Sequence, residues 1–227
     1  MDSKVFIILT ARNEADRLGD TLRALTESFP GASLWVADDG SSDATSQIAL
    51  AAGATVVRIE RSLGKGSAAT LAARRALEEL QPHGDALAIL CDGDLAGTAG
   101  QLPQLLAPLQ RGEADMTVAV FARRLGGGVG LAVAFARWAI RRRCGLLPQA
   151  PISGQRALRA QALRDVLPFA AGFGMEIGMT IDAARAGYRV REVELDLQHR
   201  ASGRSLAGFI HRGRQLADFV RVYAARR

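Results

Sequence analysis

The chain has 227 residues, 48% of them hydrophobic and 23% charged, with a formal net charge of +6. That is enough chain for one large domain or two closely packed halves around a substantial core, and it excludes a disordered protein. The basic balance suits anionic partners such as phosphates, nucleotides, an acidic membrane surface or nucleic acid, without choosing among them.

Val5 to Leu9 is a continuous apolar run, the pattern of a strand buried on both faces. A polar turn follows. Leu18, Leu22 and Leu25 then recur at helical spacing until Pro30-Gly31. Leu34 to Ala37 reads as a second strand ending on Asp38-Asp39-Gly40. Ser41, Ser42 and Asp43 suit the start of a helix through Ile48 and Leu50. A third strand is expected over 55–59, a third helix over 67–80 and a fourth strand over 86–91. A short helix over 102–109 and a fifth strand over 116–121 complete this half. Strict alternation with short connections predicts an α/β fold, with helices on both faces of a mostly parallel sheet.

The chain changes character after residue 121. Residues 122–130 form a glycine-rich loop, and 131–143 an amphipathic, arginine-rich helix. A turn at Pro148 to Pro151 precedes a strand over 152–159. A loop over 169–174, a helix over 175–186, a strand over 189–197 and a last helix from about Ser205 follow. The expected division is therefore 1–121 and 122–227, the second part folding over the sheet edge to close a site.

Cys91 and Cys144 are far apart and in no metal-type spacing, which implies a reducing compartment. The first residues lack the features of a signal peptide, and no run reaches the ~18 apolar residues of a membrane span. The expected location is the cytoplasm, with peripheral contact at the inner face of a membrane left open.

In open α/β sheets, ligands bind beyond the carboxyl ends of the strands. Those ends carry Thr10 to Glu14, Asp38-Asp39, Arg58 to Lys65 and Asp92-Gly93-Asp94. Two carboxylates separated by a glycine can turn toward one hard cation such as Mg2+ or Mn2+, or form a surface turn. Asp39 is spare if Ser41, Ser42 and Asp43 cap the next helix, so it is free to accept from a base or ribose. Lys65 is one of two lysines among 29 basic residues and lies between Gly64 and Gly66. It is a compact point charge suited to a phosphate or a carboxylate. The P-loop pattern fails there, because Ile59 and Gly66 stand where glycine and Ser or Thr are needed. A loose dinucleotide-type match falls after the third strand, not the first. Glu176 stands among Met175, Ile177 and Met179; a carboxylate there needs an arginine partner or substrate hydroxyls. His199, beside Arg200 and Arg204, is either structural or turned to phosphate.

These motifs, in this order, resemble the nucleotide-sugar glycosyltransferases of the GT-A fold, especially family 2. Thr10-Ala11-Arg12-Asn13-Glu14 resembles their opening nucleotide-binding motif, and Asp38 to Asp43 their DDGSxD motif. Gly64-Lys65-Gly66 resembles their GKG loop, and Asp92-Gly93-Asp94 their metal-binding DxD. The resemblance implies a Rossmann-like α/β/α sandwich and a metal-dependent transferase using a nucleotide diphosphate-sugar, with UDP the preferred nucleotide. Thr10, Ala11, Arg12, Glu14, Asp39, Gly64, Lys65, Gly66 and Asp92 would then hold the donor. Asp92, Asp94 and His199 would hold Mg2+ or Mn2+, with Glu176 and Asp94 nearest the reacting sugar.

The second half resembles two branches of the group. Gly126 to Gly128, Pro151 to Gly154, Gly172 to Gly178 and His199-Arg200 resemble the glucosyl-3-phosphoglycerate synthases. The chain departs from them after the glycines, reading Val129-Gly130-Leu131 where an arginine and a threonine take the acceptor's phosphate and carboxylate. Ser153 to Ala157 and Ala186 to Val190 resemble the polyprenyl-phosphate sugar transferases. The acceptor would be a small acid or a lipid phosphate, held by Gly127, Gly128, Ser153, Gly154, Gln155 and Arg200. Helix 131–143 would lie on a membrane surface or pack on the protein's own core, and a homodimer is allowed. A sugar-nucleotide pyrophosphorylase is the rival enzyme, although Ala11 to Asp16 lacks the glycine-rich loop it needs. A nucleic-acid-binding module is not expected, because aromatics for base stacking are few, at 5%.

Overall fold

The computed structural model describes residues 4–81, 85–122, 130–197 and 217–226. The expected loop residues Gly127 and Gly128, together with His199 and Arg200, lie outside them. Among the described residues, seven strands build one sheet: β1 (Val5–Ala11), β2 (Ser33–Asp38), β3 (Thr55–Arg58), β4 (Leu87–Asp92), β5 (Met116–Phe121), β6 (Arg156–Arg159) and β7 (Val190–Leu195). Their order is β3-β2-β1-β4-β6-β5-β7. β1 runs parallel to β2 and β4, β2 to β3, and β5 to β7. β6 is antiparallel to both its neighbours, so a strand from the second part of the chain lies between β4 and β5.

The helices are α1 (Leu18–Ser28), α2 (Thr45–Ala51), α3 (Lys65–Leu80), α4 (Leu106–Gln110), α5 (Leu131–Cys144), α6 (Ala160–Asp165) and α7 (Met175–Arg185). Residues 217–225 are also helical, the described part of the helix expected from Ser205. Residues 96–105, expected to be mostly loop before a helix at 102, wind as a 3-10 helix leading into α4. α3 begins at Lys65, two residues earlier than its apolar pattern indicates. The strand expected over 152–159 pairs only from Arg156, because residues 151–152 turn and 153–155 stay irregular.

Side-chain alternation along β1 divides the core into two layers. Ile7, Leu9 and Ala11 face the cluster that includes Leu18, Leu22 and Leu25 of α1 and Leu102 and Leu105 of the 3-10 segment. Phe6 and Ile8 face the other cluster, with Ala69, Ala72 and Ala73 of α3 and Met175 and Met179 of α7. Each Leu, Ile, Phe or Met side chain so buried contributes on the order of 1.5–3 kcal/mol, and each alanine less. The alanine face of α3 lets that helix lie close to the sheet, which brings its first residue, Lys65, to the strand ends. A third cluster joins Ala136 and Ile140 of α5, Ile177 and Ile181 of α7, and Phe219 and Val222. α5 thus packs one face on the protein's own core and leaves Leu131 and Trp138 exposed on the other. Among the described residues, no helix is long and apolar enough to cross a membrane.

Candidate active site

The carboxyl ends of β1, β2 and β4 lie side by side, with Thr10 opposite Ala37 on one flank and Asp92 on the other. On this edge Lys65 Nζ lies 2.6 Å from Asp92 Oδ1 and 2.8 Å from Glu176 Oε1. Asp92 also accepts from Thr10 Oγ1 at 3.1 Å and from Gln155 Nε2 at 2.9 Å. Five chain segments therefore meet on two carboxylates and one lysine. The partner that buried Glu176 requires is this lysine, not an arginine. Burial works against the charge on Lys65, but Asp92 and Glu176 outweigh it and hold its pKa above the ordinary lysine value. Burial likewise opposes the charge on Asp92, but Lys65 with the Gln155 and Thr10 hydrogen bonds holds that pKa below the usual carboxylate value.

Glycines make this close approach possible. An added Cβ at Gly66 would stand 1.9 Å from the carbonyl oxygen of Ala170, so only glycine lets the start of α3 meet the 169–172 loop. Gly64 has φ +90° and abuts Gly172, a conformation that disfavours any side chain. Gly93 sits between Ala11 and Leu18 and donates its N–H to Thr10 O at 2.9 Å.

Asp39 is not spare. Its carboxylate accepts from Ser62 Oγ at 2.7 Å, Leu63 N at 2.8 Å and Gly64 N at 3.1 Å. It therefore shapes the loop that delivers Lys65. Asp38 holds the following turn through Ser41 N at 2.8 Å and the Ser46 hydroxyl. Asp43 accepts from Thr45 N at 3.0 Å at the start of α2 and from Ala15 N at 3.2 Å. The 10–14 segment is tied to this turn by Asn13 N to Ser41 Oγ at 3.0 Å and Glu14 N to Thr45 Oγ1 at 2.9 Å. Ala11 is buried within it and Arg12 is exposed.

Asp94 is partly buried in the turn after β4, where its carbonyl accepts from Arg17 Nη1 at 3.1 Å. Among the described residues, no three carboxylate, histidine or cysteine side chains converge as a metal cluster. The donor chemistry present still fits a hard divalent cation. Three donors occupy Asp92, leaving about one acceptor position on its carboxylate, and Asp94 supplies a second carboxylate. Two carboxylates against one lysine also leave a net negative charge at Asp92 and Glu176.

One contributor was not expected. Arg156, at the start of β6, is 1% exposed, the largest fully buried side chain among the described residues. Its Nε donates to Ser153 O at 2.9 Å and its Nη1 to Thr180 Oγ1 at 2.8 Å. Its signal in the sequence is faint: an arginine among small and apolar residues, with another arginine three positions on.

A mostly parallel sheet with helices on both faces and a charged cluster at its carboxyl edge defines a GT-A-type α/β fold. The family model described as glycosyl transferase family 2 matches residues 6–166, and the chain belongs to that family. A glucosyl-3-phosphoglycerate synthase of Mycolicibacterium paratuberculosis is 33% identical over 205 residues, covering 78% of this chain and 59% of that protein. The chain thus spans less than two thirds of that relative's length. An undecaprenyl-phosphate mannosyltransferase of Micrococcus luteus is 29% identical, covering 89% of this chain and 86% of that protein. A crystal structure of glucosyl-3-phosphoglycerate synthase from Mycobacterium tuberculosis, in complex with Mn2+, UDP and glucosyl-3-phosphoglycerate, superposes with a TM-score of 0.77. It is 26% identical, and the match covers 99% of this chain and 80% of that one.

Proposed function

We propose that the protein is a metal-dependent glycosyltransferase that moves a sugar from a nucleotide diphosphate-sugar, UDP-linked by preference, to a phosphate-bearing acceptor. The observation that carries this reading is the Lys65–Asp92–Glu176 cluster at the carboxyl edge of the sheet. The ligands named for the mycobacterial synthase, UDP and Mn2+, support it. Residues 1–121 hold most of the donor and 122–227 the acceptor, with Glu176 and His199 reaching the donor from the second part. Thr10 to Glu14 and the Asp39-shaped loop border the nucleoside, and Lys65 brings positive charge to the diphosphate. Asp94, the remaining acceptor position of Asp92, and His199 would hold Mg2+ or Mn2+. When bound, the cation neutralises the diphosphate leaving group. Glu176, already fixed by Lys65, accepts from sugar hydroxyls. Ser153, Gly154 and Gln155, with Gly127, Gly128 and Arg200, border the acceptor. An ionised phosphate acceptor needs no general base.

The test is a thermal-shift and turnover panel of nucleoside diphosphates and their sugars with and without Mn2+. A ligand that binds the folded state raises its stability with the logarithm of ligand concentration. UDP with Mn2+ is expected to give the largest shift. Release of pyrophosphate from nucleoside triphosphate and sugar phosphate would instead make the protein a pyrophosphorylase.

A lipid phosphate is the second reading for the acceptor. It is favoured by the exposed Leu131 and Trp138 along α5 and Leu147 beyond its basic end, where Arg141 and Arg142 are also exposed. Trp, Leu and Arg side by side suit a membrane interface with anionic head groups. The protein would then act in the cytoplasm at the inner face of the membrane.

A further inference from the structure

Arg156 is a buried cation with no ion pair within 4 Å among the described residues, and its Nη2 has no hydrogen-bond partner there. Burying an unpaired charge costs several kcal/mol, which the fold must recover elsewhere. Burial pulls its pKa down to about 10, with Glu176 and Glu192 at longer range resisting the fall. The sheet itself does not call for this charge: the strand residues that flank it, Leu90 on β4 and Val118 on β5, are apolar.

Its contacts show what it joins. Nε reaches Ser153 O, in the segment whose next residues are Gly154, packed on the Lys65–Asp92 pair, and Gln155, bonded to Asp92. Nη1 reaches Thr180 Oγ1, which itself donates to Glu176 O at 3.0 Å, one turn earlier on α7. One planar fork thus ties the segment against Asp92 to the helix turn that carries Glu176. Glu192 holds the other end of the same loop, accepting from Gln149 N at 2.9 Å and Ala150 N at 2.7 Å.

We propose that Arg156 is a positioning residue that sets Glu176 and the Ser153–Gln155 segment in register across the Lys65–Asp92 pair. Too buried to touch a substrate, it acts through the groups it spans. Among the described residues, Arg156 and Thr180 make no bond to the nucleotide end of the site at residues 10–14 and 39; Thr10 alone reaches the braced cluster, through Asp92. Its removal therefore separates recognition of the sugar from recognition of the nucleotide. A lysine cannot replace it, because one ammonium on a flexible stem does not reproduce the fork.

The inference rests on the proposed donor, so its test has one arm that does not. Arg156→Met, Arg156→Lys and Thr180→Val are compared with the native protein. The amides of 153–155 and 176–180 are expected to exchange hydrogen faster in each variant, whatever the ligand. With Mn2+, the dissociation constant of UDP is expected to move little. The preference for UDP-glucose over UDP and the kcat are expected to fall together, by about 10²-fold for Arg156→Met. Unchanged exchange with native kcat overturns the proposal, as does a native kcat and sugar preference in Arg156→Lys. An equal loss of UDP and UDP-glucose affinity overturns it too, because that marks general loosening. If Arg156→Met does not fold, Thr180→Val removes one anchor and is judged by the same split. If the native protein binds neither UDP nor UDP-glucose, the donor reading fails while hydrogen exchange still decides the role of Arg156.

Discussion

Gly154 lies so close to Lys65 that a Cβ there would stand 2.6 Å from the Lys65 nitrogen and 2.7 Å from Asp92 Oδ2. The atoms in the way are ends of side chains, not backbone, so the fold can accommodate a methyl group and the ion pair cannot. Gly154→Ala is therefore expected to fold, with overpacking costing about 1–3 kcal/mol. Its turnover is expected to fall by about 10²-fold, the effect of a small displacement of reacting groups. Kinetics beside a thermal melt check this; native turnover in Gly154→Ala means the Lys65–Asp92 pair is dispensable.

Lys65 is the cation shared by two carboxylates, so removing it leaves both without their ion-pair partner. Lys65→Met is expected to cost about 1–3 kcal/mol. That is less than for a fully buried pair, because Lys65 and Asp92 keep 24% and 29% of their side-chain exposure. Donor affinity is expected to fall as well, since a diphosphate would face two unpaired carboxylates. The double variant Lys65→Met/Glu176→Gln should recover part of the stability and none of the activity. A melt showing additive losses would argue against the pairing.

The ion pair also sets a dependence on pH. Asp92 is held below its ordinary value, so its contribution is full above the unfolded value of about 4 and is lost as pH falls through the folded one. Asp115, lowered by its hydrogen bonds and charge contact with Arg189, adds to the same acid limb. Lys65 has the opposite sign. Its contribution is present below the unfolded value of about 10.4 and is lost as pH rises through the higher folded one. Melting temperatures from pH 6 down to pH 3 should fall less steeply in Asp92→Asn than in the native protein. Parallel curves would exclude Asp92 as a contributor.

The first half of this structure was legible in the sequence because its signals are local. Buried parallel strands announce themselves as apolar runs, and Met116 to Phe121 matches its strand to the residue. Lys65 stood out for its type and its glycines. The antiparallel insertion of β6 was not legible, since strand direction is settled by pairing across more than sixty residues of chain. Nor was the partner of Glu176: local pattern favoured an arginine, whereas the fold brings Lys65 from a distant helix. Asp39 misled for a related reason. Neighbouring cap residues made it look free, but its acceptors are filled by the loop at Ser62 to Gly64. Arg156 stayed hidden because a buried cation follows no periodicity.

Metal dependence should divide the two aspartates of the 92–94 turn. Asp92 is already engaged by Lys65, Thr10 and Gln155, whereas Asp94 lies two residues further along the edge. Asp94→Ala is expected to abolish the Mn2+-dependent part of UDP binding. Asp92→Ala is expected to lose both metal response and stability, because it also strands Lys65. Calorimetric titration of UDP with and without Mn2+ reads the first effect and a melt the second. A retained Mn2+ response in Asp94→Ala would remove that residue from the metal site.

The two acceptor readings part at Trp138. It packs on Tyr223, with ring centroids 4.8 Å apart, and on Phe135 at 5.5 Å, yet remains half exposed; Arg143 lies 3.8 Å from the Tyr223 ring centroid. If this face meets a bilayer, each arginine near an anionic surface adds roughly 1 kcal/mol, and that part weakens with salt. Trp138→Glu puts a negative charge in the middle of the face while leaving Ala136, Ala139 and Ile140 packed. It is expected to release the protein from vesicles containing anionic lipid and to spare transfer to a soluble phosphate acceptor. Equal partitioning of native protein and Trp138→Glu between vesicles and buffer would leave the soluble acid as the acceptor to pursue.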